Sequence, residues 1–452
     1  MPDSSPTPLR VAVLADSDTR WKWGALTARR IAPESSVTGY VLRGRATPTE
    51  RQLAETGTDL DAPAEITAAE FLSELARRRT PEEPPYDALV LACVGNTVQA
   101  MLHGLARTWH GTARRTAVVT GYVGVVYENL ASGLLARHGA DLILANSPYD
   151  ARRFRALFRG VRADGSAVTE CALPFLDGAP YDPDAVARGD RPHRVVFAVQ
   201  PSVPSSRADR SYLLERAREH ARRHPAREVV LKLRSRPGEH TTHLEELPYQ
   251  RLAERTRAEQ PPNFSLAYGN MGEILDGTDL LVTVSSTAAL ESLHRGIPTA
   301  VLTDLGIREQ LGNHYFIGSG CLASWDELDG GAVPVPDRDW LAGQGLGVPA
   351  ESAFATARAR LAGLLEQAAE ETGLAPLDPY YTVRTAPGYL PGALARHGLD
   401  VKGAPQGGHQ AATAQTTGVR AASRRLLRRT ARGAYRAGAQ RVAPMIRRWG
   451  QL

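Results

Sequence analysis

Short apolar, β-branched runs alternate with stretches of helical period through the first third of the chain. Arg10–Leu14, Ser36–Leu42, Ala88–Ala92, Ala117–Thr120 and Leu142–Ala145 read as strands, with Ala25–Ile31 and Ala68–Arg79 as helices between them. Runs apolar on both faces suit parallel strands, because crossover helices cover such a sheet on both sides. The pattern lapses over Leu173–Pro183, a segment rich in Pro, Gly and Asp with no sustained period. It restarts with strand Arg194–Val199, a helical stretch over Asp209–Arg223, strand Glu228–Leu233 and strand Leu280–Val284. This βαβ rhythm predicts two doubly wound α/β halves: residues 1–172, a linker over 173–192, and residues 193–401. No internal sequence repeat relates the halves.

The segment from Asp279 to Leu302 carries the most chemistry. A buried strand, Leu280–Val284, runs into Ser285-Ser286-Thr287, then a helix, then Gly296 as a stop, and Pro298–Leu302 opens the next strand. The hydroxyl residues suit a helix cap that leaves backbone N–H groups free, and such an N-terminus attracts phosphate. Glu291 lies four residues beyond Thr287, on the same helical face and about 6 Å along the axis. Phosphate at the helix tip and ribose hydroxyls on the carboxylate is the arrangement expected of a nucleotide site.

On these residues the segment resembles the donor signature of GT-B glycosyltransferases, where a hydroxyl turn, a Glu-bearing helix and a Gly-x-Pro exit bind a nucleotide sugar. It is similar to actinobacterial chains assigned as glycosyltransferases that carry a Lys/Arg-rich strand end before a Ser-Ser turn. More distantly it resembles the capsule, sialyl and polysialyl transferases that use CMP-activated acidic sugars. The resemblance implies two Rossmann-like domains facing a cleft, the first acceptor-side and the second donor-binding. It implies a nucleotide-sugar donor and a cell-envelope polysaccharide or lipid-linked acceptor. A nucleotide-sugar epimerase of the same fold and a catalytically inactive membrane-associated scaffold are the alternatives.

Three further constellations fall at strand ends. Lys232, Arg234 and Arg236 alternate after the strand Glu228–Leu231, so their cations point one way, toward a phosphate or acidic sugar. In the similar transferases a Lys-x-His-Pro segment stands here, and Arg234 occupies the place of its His. The segment Tyr268–Leu275 places Gly269, Asn270 and Met271 at a turn into a helix, where Gly permits close backbone approach; in the related enzymes this loop packs on the base. In the first half, Asp16–Gly24 follows the first strand as a polar loop with Trp21 and Trp23. Transfer to an acceptor hydroxyl needs a group to take its proton, and Asp16 and Asp18 are candidates, with Glu128 on the same rim competing. The tryptophans would stack on sugar faces or anchor the loop.

Composition narrows the classes. There is no Gly-x-Gly-x-x-Gly after the first strand, no P-loop, no Gly-x-Ser-x-Gly elbow and no His-Glu-x-x-His. Three scattered cysteines suit a reducing cytoplasm. No metal site is expected, and no cofactor beyond the nucleotide-sugar substrate. The net charge of +5 hides a split: Lys402 onward holds eleven basic residues and no acid, leaving 43 basic against 49 acidic in residues 1–401. Residues 402–417 read as a flexible linker, and 418–452 as a basic amphipathic tail with Pro444 interrupting it. Such a helix suits an anionic inner membrane leaflet; a solubilising tail, a helix packed on the body and a nucleic-acid arm are the competing readings. The expectation is a cytoplasmic, membrane-peripheral enzyme with no nucleic-acid partner.

Overall fold

The computed structural model describes residues 8–44, 46–80, 82–112, 114–125, 130–236, 239 and 247–406. The first sheet has seven strands: β1 (Arg10–Ala15), β2 (Ser36–Leu42), β3 (Ala64–Ile66), β4 (Ala88–Ala92), β5 (Ala117–Gly121), β6 (Leu142–Ala145) and β7 (Val168–Glu170). They lie in the order β3-β2-β1-β4-β5-β6-β7. The second has six: β8 (His193–Ala198), β9 (Arg227–Lys232), β10 (Phe264–Ala267), β11 (Leu280–Thr283), β12 (Thr299–Leu302) and β13 (Leu322–Ala323), in the order β10-β9-β8-β11-β12-β13. Every strand pairing in both sheets is parallel. In both, chain order reverses beside the first strand, at β1/β4 and at β8/β11, where a crevice opens at the carboxyl ends.

Strand alternation sorts residues into core layers. Val11, Val13 and Ala15 join one cluster while Ala12 and Leu14 join another on the opposite face of the first sheet. In the second sheet Val196 and Ala198 share the cluster of Val11, whereas Val195 and Phe197 face the outer layer with Leu213 and Trp325. One apolar core therefore runs from the first sheet to the second. The linker contributes to it through Leu173 and Leu176. Arg295 fastens the same linker, donating to Asp177 O at 2.8 Å while its own carbonyl accepts from Tyr181 N.

Two expectations are corrected. The first helix spans Asp18–Ile31 rather than starting at Ala25, because the Ser17 side chain caps it by accepting from Arg20 N. Trp21 and Trp23 are then helical and buried, at 2% and 1% exposure, so they pack in the core and offer no face to a sugar. Gly39 makes room for the Trp21 ring, since a Cβ there would stand 2.3 Å from it. The second correction concerns the C-terminal boundary of the second half. Helices Ala355–Ala369 and Leu390–Ala395 return to the first sheet: Arg360 donates to Thr169 Oγ1 at 2.7 Å, and Leu390, Leu394 and Leu399 share a core layer with Phe71 and Leu89. Their apolar faces match the first lobe's uncovered surface, which a reading in chain order could not show.

Candidate active site

The carboxyl ends of β9 and β11 meet those of β1 and β5 across the crevice between the lobes. Lys232, the last residue of β9, is 8% exposed and its Nζ donates to Leu233 O at 2.7 Å. Burial, reinforced by Arg234, lowers its pKa to about 8, with Glu55 and Glu291 opposing. Beyond the strand the alternation persists: Leu233 and Ser235 are buried, Arg234 and Arg236 exposed. Arg236 lies over the Tyr268 ring at 5.6 Å.

Gly269 adopts φ +105°, a conformation that L side chains rarely take. It delivers Asn270 as the cap of helix Met271–Leu275, where the Asn270 side chain accepts from Gly272 N at 2.8 Å. Met271 is half-buried against the shared core. Helix Ala288–His294 follows the hydroxyl turn, and there the three residues part company. Ser285 is 1% exposed and serves the fold: its hydroxyl donates to Leu311 O, and its backbone N–H to Gln200 Oε1 at 3.1 Å. Ser286 Oγ accepts from Ala288 N at 3.2 Å. Thr287 caps the helix with no side-chain bond and faces the first lobe, where a Cβ on Gly124 would stand 2.7 Å from its Oγ1. Only Thr287 of the three keeps a hydroxyl turned to the crevice without a bond among the described residues.

Glu291 occupies the same helical face as Thr287, is 8% exposed, and makes no hydrogen bond or ion pair among the described residues. Burial raises its pKa against the pull of Lys22, Arg295 and Lys232. Lys22, from the first lobe, was not singled out as a site residue in the sequence. Had the helix been read from Ser17, Asp18 and Lys22 would have stood four residues apart on one face.

The first-lobe candidates differ in freedom. Asp16 is engaged by the fold, accepting from Val94 N at 2.9 Å and pairing with Arg20 at 3.2 Å. Asp18 opens helix Asp18–Ile31 and reaches across the crevice to Arg234 at 2.9 Å. Glu128 lies outside the described residues. Two other residues on this rim went unmarked in the sequence. Asn146 Nδ2 holds the loop after β5 by donating to Tyr122 O at 2.8 Å and Gly124 O at 3.3 Å. His397, from the returning C-terminal segment, is held below the usual imidazole pKa by burial and Arg396, while Asp16 raises it. Neither carries a local sequence signal.

Further contacts close the crevice. Arg51 pairs with Glu239, and a Cβ on Gly57 would stand 2.6 Å from Asn270 Nδ2. A cavity of about 150 Å³ lies elsewhere, lined by His193, Arg227, Asp279 and Leu280 at the amino ends of the second sheet. It holds none of the groups above. Among the described residues one cluster has ligand spacing for a metal, His220, His224 and Asp329. It sits on helix Arg207–Arg223 and its flank, where Arg216 at 2.9 Å and Arg227 already engage Asp329 and His220. That positive surrounding opposes a cation.

Two helix-flanked parallel sheets, with a hydroxyl turn leading into a helix and a buried carboxylate at their facing carboxyl ends, define the GT-B class of two-lobed α/β protein. Residues 11–362 match the model of the family described as "Putative glycosyltransferase (DUF6716)", and the chain belongs to that family. Among solved structures it is similar to the S. aureus MnaA–UDP co-structure, with 10% identity over 79% of this chain and 96% of that one and a TM-score of 0.48. It is similar also to the Methanocaldococcus jannaschii UDP-GlcNAc 2-epimerase in complex with UDP-GlcNAc and UDP, at 10% identity over 79% and 98% with a TM-score of 0.46. The spinosyn rhamnosyltransferase SpnG aligns at 16% identity over 84% and 100%, with a TM-score of 0.39. Among curated proteins none matches the chain.

Proposed function

We propose that this protein is a glycosyltransferase whose second lobe holds a nucleotide-sugar donor and whose first lobe receives a hydroxyl acceptor. The observation that supports the reading most is Glu291: a buried carboxylate without a partner, one helical turn past Thr287 and within the field of Lys232 and Lys22. Ribose hydroxyls would satisfy such a group, and phosphate oxygens would satisfy the cations beside it. In the transfer step the acceptor oxygen attacks the anomeric carbon. The bond from that carbon to the phosphate oxygen breaks, and its electron pair leaves on the phosphate, where Lys232 and Arg234 meet the charge. The acceptor's proton passes to a carboxylate; Asp18 is the better placed of the two aspartates, since Asp16 is committed to Val94 and Arg20.

The finer reading is a CMP-linked acidic sugar as donor, with the cationic strand end meeting both phosphate and sugar carboxylate, and a cell-envelope or lipid-linked acceptor. Cations in place of a metal imply activity that survives EDTA. No helix among the described residues is long and apolar enough to cross a membrane. The basic residues of 418–452, which lie outside the described residues, supply the proposed hold on an anionic leaflet. Calorimetry with CMP, UDP and GDP tests the donor: binding of one is expected, and binding of none would overturn the enzyme reading. Incubation with a bound donor then separates reactions, because nucleotide release that waits for acceptor supports transfer, whereas an isomerised sugar with no acceptor present would reject it. Loss of vesicle binding on removing 418–452 is the expected result for the tail; unchanged binding would reject the tether.

A further inference from the structure

Arg234 has two anionic claimants. From the end of β9 its Nη2 donates to both oxygens of Asp18, at 2.9 and 3.1 Å, and also to the Thr19 hydroxyl. These partners belong to the first lobe, 216 and 215 residues away in sequence. The same guanidinium stands two residues past Lys232, close enough to lower its pKa, where the donor phosphate is assigned. Nη2 carries two hydrogens and both are directed at Asp18 and Thr19, so a phosphate that takes this edge displaces the carboxylate. Both side chains are partly exposed, 34% for Arg234 and 18% for Asp18, so the pair is weak enough to be exchanged.

We propose that Asp18–Arg234 is a donor-gated ion pair. The donor's phosphate takes Arg234 from Asp18, and the released carboxylate becomes the group that accepts the acceptor's proton. The proposal rests on the donor-site reading above and adds to it an order of events, donor before acceptor. Without donor, the base is held by a cation and by the Thr19 hydroxyl. With donor bound, the same exchange meets the phosphate charge and frees a proton acceptor on the opposite wall. Arg51–Glu239, a second ion pair across this crevice among the described residues, involves neither Lys232 nor Arg234.

The test is calorimetric titration of the full chain with inorganic pyrophosphate at low salt, comparing Asp18→Asn, Arg234→Ala, Arg234→Gln and Glu55→Gln, each first checked by its melting temperature. Removing a competing carboxylate should tighten pyrophosphate binding by about two- to fivefold, the worth of a partly exposed ion pair. Glu55→Gln removes a charge near Lys232 but leaves Arg234 paired, and should change affinity by less than about twofold on the same scale. If Asp18→Asn binds no tighter than wild type while the Arg234 variants bind more weakly, the gate is refuted and the donor site stands. Equal tightening by Asp18→Asn and Glu55→Gln would also refute the gate, as a general charge effect. If neither Arg234 variant changes affinity, Arg234 is outside the phosphate site and that part of the donor reading fails with it.

Discussion

Glu291 and Asp150 are both buried acids, and they separate two uses of burial. Glu291 lacks a hydrogen-bond partner among the described residues and sits beside cations of both lobes, so its lone pairs are left for a ligand hydroxyl. Glu291→Gln should therefore lower nucleotide affinity by about 10- to 100-fold, as for loss of a hydrogen bond to a charged group, while the melting temperature of the free protein holds or rises. A fall in melting temperature with unchanged affinity would make Glu291 a structural residue. Asp150 lies in the first turn of helix Pro148–Gly160, 3.3 Å from Arg153, and burial raises its pKa to about 6 despite that cation. Its folded state holds the proton more tightly than the unfolded chain. The stability it contributes is thus complete below about pH 4 and is lost as pH rises through 6. Asp150→Asn should match wild type at pH 4 and melt higher at pH 8, by up to about 3 kcal/mol of stability. Melting curves across that range check it, and a gap that is the same at both ends would contradict the assignment.

At the scale of elements, what the sequence disclosed depended on whether a strand or helix carries its own signal. Central strands such as β4 and β6 have unbroken apolar runs because both faces are covered, and Ala88–Ala92 and Leu142–Ala145 could be bounded to the residue. The edge strands β3 and β13 are short and partly exposed, so they have no such run and went unread. The hydroxyl turn was legible as a turn, but not that Ser285 would be spent on Gln200 and Leu311, since those partners arrive from distant parts of the chain. Helix Asp18–Ile31 was half missed for a related reason: Arg20 and Lys22 interrupt the apolar face that Trp21, Gly24, Ala25 and Ala28 make once the sheet is present. Gly24 tests that packing. Ala in place of Gly gains up to about 1 kcal/mol of helix propensity, but a Cβ there would lie 2.6 Å from Val13 Cγ1 and 2.8 Å from Ala92 Cβ. Overpacking of this kind costs about 1–3 kcal/mol, so it should dominate. Urea unfolding of Gly24→Ala is expected to show a net loss; a gain would mean that the helix lifts from the sheet without penalty.

For the molecule as a whole, the two sheets share one apolar core, although the chain visits them one after the other. The cluster holding Val11, Val13 and Trp23 also holds Val196, Leu281 and Leu293, and Phe354 and Leu361 enter it from the returning segment. Arg358 ties the helix Ala355–Ala369 to Arg30 O at 3.1 Å, and Arg115 reaches Ala375 O at 2.8 Å. Further along, Tyr389 Oη donates to Asn96 Oδ1 at 2.6 Å. Cutting the chain after residue 354 would uncover Phe71, Leu89 and the inner side of β5 and β7, where Leu361, Leu390 and Leu394 now pack. Fully burying one such side chain is worth about 1.5–3 kcal/mol, and three or four of them approach the whole stability of a typical domain, about 5–15 kcal/mol. A chain ending at Phe354 should therefore fail to fold in either lobe, whereas one ending at Pro405, which keeps those contacts, should melt with the full chain in a single calorimetric transition. Two separated transitions, or a folded second lobe in the shorter chain, would show that the shared core does not couple the lobes.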